Sequence, residues 1–170
     1  MQMNDSQRIP ASREQVWAAL NDPAVLKQCI PGCQSLEVTA PNEMTATVVF
    51  KVGPVKATFS GKVTLSDFDP PNGYRISGEG SGGVAGFAKG GALVRLESES
   101  ADVTVLHYEV DAQIGGKLAQ LGQRLIDSTA KKLAGEFFAA FGAVVGGTAD
   151  VTAETESAPK GWLGRLTGAA

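Results

Sequence analysis

The stretch from Pro10 to Glu37, PASREQVWAALNDPAVLKQCIPGCQSLE, limits the fold more than any other part of the chain, because it sets two helices at a corner and then stops the second sharply. Ser12 stands three residues before Gln15, the spacing at which two side chains reciprocally satisfy the free backbone donors of a helix start. Val16, Trp17 and Leu20 follow at helical spacing. Asn21-Asp22-Pro23 ends that helix, since the residue before a proline is pushed out of the helical region. Asp22 is placed to cap a second short helix with Pro23 in its first turn, Val25, Leu26 and Cys29 as its apolar residues, and Pro31-Gly32 as its stop.

The middle of the chain reads as sheet. Residues 1–9 form a weakly patterned edge strand, and Leu36, Val38 and Ala40 alternate with polar neighbours until Pro41-Asn42 turns the chain. Met44, Ala46, Val48, Phe50 and Val52 share one parity. After Gly53-Pro54, so do Val55, Ala57, Phe59, Gly61, Val63 and Leu65, while lysines, threonines and serines take the other. Tyr74, Ile76 and Gly78 begin a further strand, and a hairpin carrying Ala92, Val94 and Leu96, then Leu106, Tyr108, Val110, Ala112 and Ile114, completes the series. An antiparallel sheet with one apolar face needs a cover on that face. Leu118, Leu121, Leu125, Thr129, Leu133, Phe137, Ala140 and Val144 recur at intervals of three and four, which predicts a single long helix from Gly116 to about Val145 as that cover. Gly122, Ala130, Ala134 and Gly135 thin it, either for close packing or to leave room for a ligand.

The run VWAALNDPAVLKQCIPGCQSLE (Val16 to Glu37) and the later SGEGSGGVAGFAKGGALVRLE (Ser77 to Glu97) together resemble the carbon monoxide dehydrogenase CoxG family of the START-like superfamily, over about residues 2 to 145. The resemblance implies an α+β helix-grip fold: a curved antiparallel sheet of six to seven strands wrapped around a long C-terminal helix, with two short helices after the first strand.

The residues exclude several chemistries. Gly78, Gly80 and Gly83 spell G-x-G-x-x-G, but hairpin residues follow them instead of the helix whose N-terminal amides would hold a pyrophosphate. Their reading is structural, in glycines that relieve crowding where a curved sheet bends, with the hairpin a candidate lid beside Phe87. His107, the single histidine, falls on the solvent parity without a partner, and Ser81 lacks a nucleophile elbow. Cys29 and Cys33 have no second ligand pair for a metal and read as packed thiols. A net charge of −3, with 19% charged residues, argues against a nucleic-acid partner. The N-terminus has neither the basic start nor the apolar run of a secretory signal, so a cytoplasmic domain is expected.

What remains is the space between sheet and helix. The expected ligand-lining residues are Leu26, Ile30, Phe50, Phe59, Ile76, Phe87, Tyr108, Ile114, Leu118, Leu121 and Leu125; on parity alone they equally describe a packed core. START-like folds commonly hold an apolar ligand there, and the resemblance favours the open alternative. Residues 1–145 are expected to form the domain and the small, acidic 146–159 a disordered linker. In residues 160–170, Trp162, Leu163, Arg165 and Leu166 suit a bilayer interface or a partner groove.

The resemblance further implies a non-enzymatic accessory protein of a molybdenum-containing carbon monoxide dehydrogenase or related hydroxylase, without metal or covalent cofactor. Such a protein would be peripheral at the inner face of the cell membrane and would hold a hydrophobic ligand, a respiratory quinone such as menaquinone or another isoprenoid lipid. Two alternatives stay open: a START-like cyclase or hydrolase, for which Tyr108 is the single polar group available inside, and a generic lipid carrier.

Overall fold

The computed structural model describes residues 1–146, so the expected linker beyond Gly146 and the segment 160–170 lie outside the described residues. The elements run β1 (Gln2–Ile9), α1 (Arg13–Leu20), α2 (Pro23–Cys29), β2 (Cys33–Ala40), β3 (Glu43–Val52), β4 (Val55–Asp69), β5 (Gly73–Ser81), β6 (Phe87–Ser100), β7 (Val103–Gly115) and α3 (Gln123–Gly146). The seven strands form one sheet in the order β1-β7-β6-β5-β4-β3-β2, every neighbouring pair antiparallel. This is the helix-grip arrangement, with α3 over one face and the α1–α2 corner closing an end.

The corner forms as its residues dictate. The Gln15 N–H donates to Ser12 Oγ at 3.2 Å and the Ser12 N–H to Gln15 Oε1 at 3.1 Å, a complete capping box. The Ala24 N–H donates to Asp22 Oδ1 at 3.0 Å and starts α2. Thr104, fully buried, donates its hydroxyl to the Ala11 carbonyl at 2.8 Å and ties the corner to β7.

The long helix begins later than the periodicity predicts. Gly116 and Gly122 adopt φ of +75° and +97°, and a single 3-10 turn (Ala119–Leu121) stands between them, so α3 starts only at Gln123. Residues three apart share a face in a 3-10 turn as well as in an α-helix, which is why Leu118 and Leu121 keep the helical pattern across the break. From Gln123 the helix runs 24 residues, about 36 Å at 1.5 Å per residue.

Two apolar clusters pack on the inner face. The larger joins Ile9, Val16, Leu20, Leu106 and Phe141 to Tyr74 and Tyr108; the smaller holds Val52, Ala57, Phe59, Ala85 and Leu118, with Phe50, Ile114, Leu121 and Leu125 against them. A diagonal belt of small inward residues separates them, since Gly61 pairs with Ala46 and Gly80, and Gly90 with Gly78 and Ala112. The neighbouring strand leaves little room for a side chain in the belt: a Cβ on Gly61 would come within 2.6 Å of the Glu79 carbonyl oxygen.

Candidate functional site

A cavity of about 330 Å³ opens between the sheet and α3 on the larger cluster's side of the belt. Leu20, Leu26 and Ile30 from the corner form one wall, Ala134, Phe137 and Phe138 of α3 another, and the floor is built from Met3, Leu36, Met44, Ala46, Val63, Leu65, Tyr74, Ile76, Ala92, Val94, Leu106, Tyr108 and Val110. Ala134 faces this space, where its small side chain leaves room, while Gly135 lies on the exposed side of the helix.

The lining is almost wholly apolar, and two tyrosine rings belong to it. Tyr74 is wedged against Trp17, ring centroids 5.4 Å apart, and burial pushes its pKa up to about 12. Tyr108 stacks on Phe138 at 5.4 Å. Its pKa is raised, first by burial and then by the charge of Asp5, with Gln7 pulling it slightly back. Both phenols therefore hold their protons at neutral pH, and their hydroxyls present almost no surface to the cavity. The Tyr74 shift also makes stability pH-dependent. Because the folded phenol binds its proton more tightly than the unfolded one, its contribution is complete below about pH 10 and is lost as pH rises towards 12, on the order of 2–3 kcal/mol in all. Urea midpoints at pH 8 and pH 11 should differ less in Tyr74→Phe than in the unsubstituted protein; an equal drop in both would exclude this phenol as the cause.

Nothing in the cavity lining is a carboxylate or an imidazole. Asp5 lies opposite Tyr108 on edge strand β1 but is itself exposed, so Tyr108 is not joined to a buried acid. His107 lies on the outer face, as its parity requires, with Nε2 2.9 Å from Glu97 Oε1. Cys29 is buried, which raises its pKa, and Cys33 is half-buried with its thiol donating to the Ser35 carbonyl at 3.4 Å. After Gly83 the chain makes one 3-10 turn (Gly83–Ala85) and enters β6, leaving no helix start for a pyrophosphate.

Of the residues expected to line a site, Leu26, Ile30, Ile76 and Tyr108 come together at this cavity. Phe50, Phe59, Ile114, Leu118, Leu121 and Leu125 do not. They share the inward parity but lie beyond the belt, where Phe50 and Phe59 pack at 5.2 Å between centroids and fill their own cluster. Phe87 is also placed differently. It is paired with Gly115, its ring lies over that glycine on the outer face, and it is 49% exposed, because Ala88 takes the inward position. It borders an open outer groove of about 680 Å³ lined by residues such as Ser35, Thr47, Lys62 and Glu79. Trp162, Leu163, Arg165 and Leu166 lie outside the described residues. Tyr74, Phe137 and Phe138 were missed as lining, although Tyr74 shares the parity of Ile76 and Phe137 the stripe of α3.

Among the described residues no helix is long and apolar enough to cross a membrane. Among solved structures, a conserved protein from Geobacillus kaustophilus is 31% identical with a TM-score of 0.82, covering 85% of this chain and 95% of its own. A START superfamily protein from Mycobacterium smegmatis (14% identity, TM-score 0.65, 85% of this chain and 96% of that one) shares the fold. So does the ZhuI aromatase/cyclase from Streptomyces sp. R1128 (14%, 0.60, 85% and 93%). No curated protein matches the sequence closely enough to count as a relative. The sequence profile of CoxG, a family of carbon monoxide dehydrogenase subunits, matches residues 6–146, the whole of the sheet, corner and long helix apart from the first residues of β1, and the chain belongs to that family.

Proposed function

We propose that this protein is a non-enzymatic accessory protein of a molybdenum-containing carbon monoxide dehydrogenase or related hydroxylase, and that it carries a respiratory quinone such as menaquinone in the cavity. The observation that carries the reading is an apolar cavity between sheet and long helix whose lining includes the aromatic rings of Tyr74, Tyr108, Phe137 and Phe138. A quinone ring is a flat, largely apolar plate on an isoprenoid chain, which suits such a surface. At about 330 Å³ the space lies near the lower end of the roughly 300–1,000 Å³ typical of small-molecule sites, enough for the ring and the first isoprene units. The rest of a long isoprenoid chain would extend beyond it.

In this reading the chain's residues bind, orient and shield. Leu26, Ile30 and Phe138 cover the ring, and the rings of Tyr74 and Tyr108 pack against it. The protein works at the inner face of the cell membrane, where the tail containing Trp162, Leu163, Arg165 and Leu166 adds a weak, reversible attachment. The enzyme alternative draws no support from the cavity, whose lining offers phenols but no acid–base pair.

Native mass spectrometry of the full chain purified from a quinone-producing host tests the proposal. A retained mass matching the host's quinone is expected. A protein that carries no quinone, and takes none up from detergent micelles loaded with it, would overturn the quinone assignment. A phospholipid or fatty acid in its place would point to the generic carrier.

A further inference from the structure

The end of the molecule beyond the small-residue belt has features that the cavity does not use. Three segments meet there: the β3–β4 turn, the 3-10 turn between β5 and β6, and the connection from β7 into α3. They are fastened to one another. The Leu118 N–H donates to the Ala85 carbonyl at 2.9 Å, and a Cβ on Gly82 would come within 2.6 Å of the Phe59 ring. A Cβ on Gly53 would likewise come within 2.8 Å of the Leu125 side chain. Ala85 is buried in the smaller cluster, so the turn is anchored by one residue and presents its neighbour outward. That neighbour, Val84, is 92% exposed, and Phe87 just after it is half exposed.

An isolated exposed valine means little. The charge around this one gives it meaning. Residues 50–58, 82–92 and 112–126 contain Lys51, Lys56, Lys89, Lys117 and Arg124 and no aspartate or glutamate, although Glu79 of β5 stands opposite Lys89, in a chain whose formal net charge is −3. Lys51 and Lys56 stand directly opposite each other in the β3–β4 hairpin, an arrangement that like-charge repulsion disfavours unless an external anion is near. Among the described residues none of these five cations makes an ion pair. The opposite ends of the strands, at the β4–β5 and β6–β7 turns, carry Asp67, Asp69, Glu97, Glu99 and Asp102, but there Arg75 pairs with Asp67, Arg8 with Glu99, and His107 lies against Glu97. The tip therefore gathers cations without acid partners around an exposed apolar residue.

We propose that this end docks on an anionic bilayer: Val84, followed by Phe87, enters the boundary between headgroups and acyl chains while Lys51, Lys56, Lys117 and Arg124 lie against lipid phosphates. The proposal deepens the reading above in that it presumes visits to a membrane, but it does not depend on which ligand the cavity takes. It gives the folded domain its own lipid contact in addition to the tail. One weak signal holds a protein on a membrane only marginally and two hold it better, so a rigid tip and a short tail acting together suit attachment that must also be released.

Flotation of the full chain with vesicles of phosphatidylcholine and phosphatidylglycerol tests it. Val84→Asp and the double variant Lys51→Glu/Lys56→Glu should each lower vesicle affinity by about tenfold or more, and added salt should weaken the unsubstituted protein in the same direction. Leu93→Asp, an exposed apolar position elsewhere on the outer face, should bind as the unsubstituted chain does. Unchanged melting temperatures establish that the variants are folded. If both tip variants bind vesicles like the unsubstituted chain, the proposal is wrong, whether a Trp162→Ala/Leu163→Ala variant shows the tail to be the docking element or the tip variants lose binding to the dehydrogenase instead. Native mass spectrometry on the same variants keeps the two readings apart, because loss of vesicle binding with ligand retained concerns the tip alone.

Discussion

Phe141→Ala is expected to remove about 3–5 kcal/mol of folding stability, the range found when a large aromatic is deleted from a closed interior. Phe141 is fully buried, stacks on Phe137 at 5.6 Å between centroids, and belongs to the cluster of Ile9, Val16 and Leu106. It therefore fastens the C-terminal half of α3 to the corner and to β1 and β7 together, and no side chain nearby can swing into the space it would leave without abandoning its own packing. Set against a total of roughly 5–15 kcal/mol for a domain, the loss should be visible as a much lower urea midpoint with the slope unchanged. A loss below about 1 kcal/mol would mean that the helix is held mainly by something other than this residue.

Ala92→Trp is expected to abolish ligand capture, by about a hundredfold or more in affinity, with folding stability held or slightly raised. Ala92 sits in the cavity floor between Ile76 and Val110 on the neighbouring strands, so an indole there would grow into empty volume. The same change at Ala57, which lies in the smaller cluster and is buried at 3% exposure, has no such space to fill and should cost about 1–3 kcal/mol through overpacking. The pair separates a hollow interior from a solid one. If Ala92→Trp destabilises as much as Ala57→Trp and the ligand still binds, the cavity is not the site. Equilibrium unfolding of both variants alongside native mass spectrometry gives the answer.

Local chemistry was the most legible part of the sequence. The reciprocal caps of Ser12 and Gln15, the Asp22 cap and the strict alternation from Met44 to Leu65 all depend on neighbours in the chain, and each is built as the pattern requires. The start of α3 was not legible, because a 3-10 turn with glycines on either side preserves the three-residue spacing of Leu118 and Leu121 while breaking the helix between them. The site was half legible for a related reason. Parity tells which face a residue takes, and it put Ile76 and Phe59 on the same face correctly. It carries no information about which half of the strand lies beneath the thin part of the helix. That depended on the pairing of Gly61 with Gly80 and of Gly78 with Gly90, a register that joins residues far apart in the chain.

The same belt of small residues has a consequence for how such a protein can change over time. Substitutions on its two sides share no packing partners, so their effects should combine independently, as those of distant sites usually do. A lineage could therefore reshape the chamber around Ile76 and Tyr108 without disturbing the lysine-rimmed tip around Val84, and could retune the tip while leaving the chamber alone.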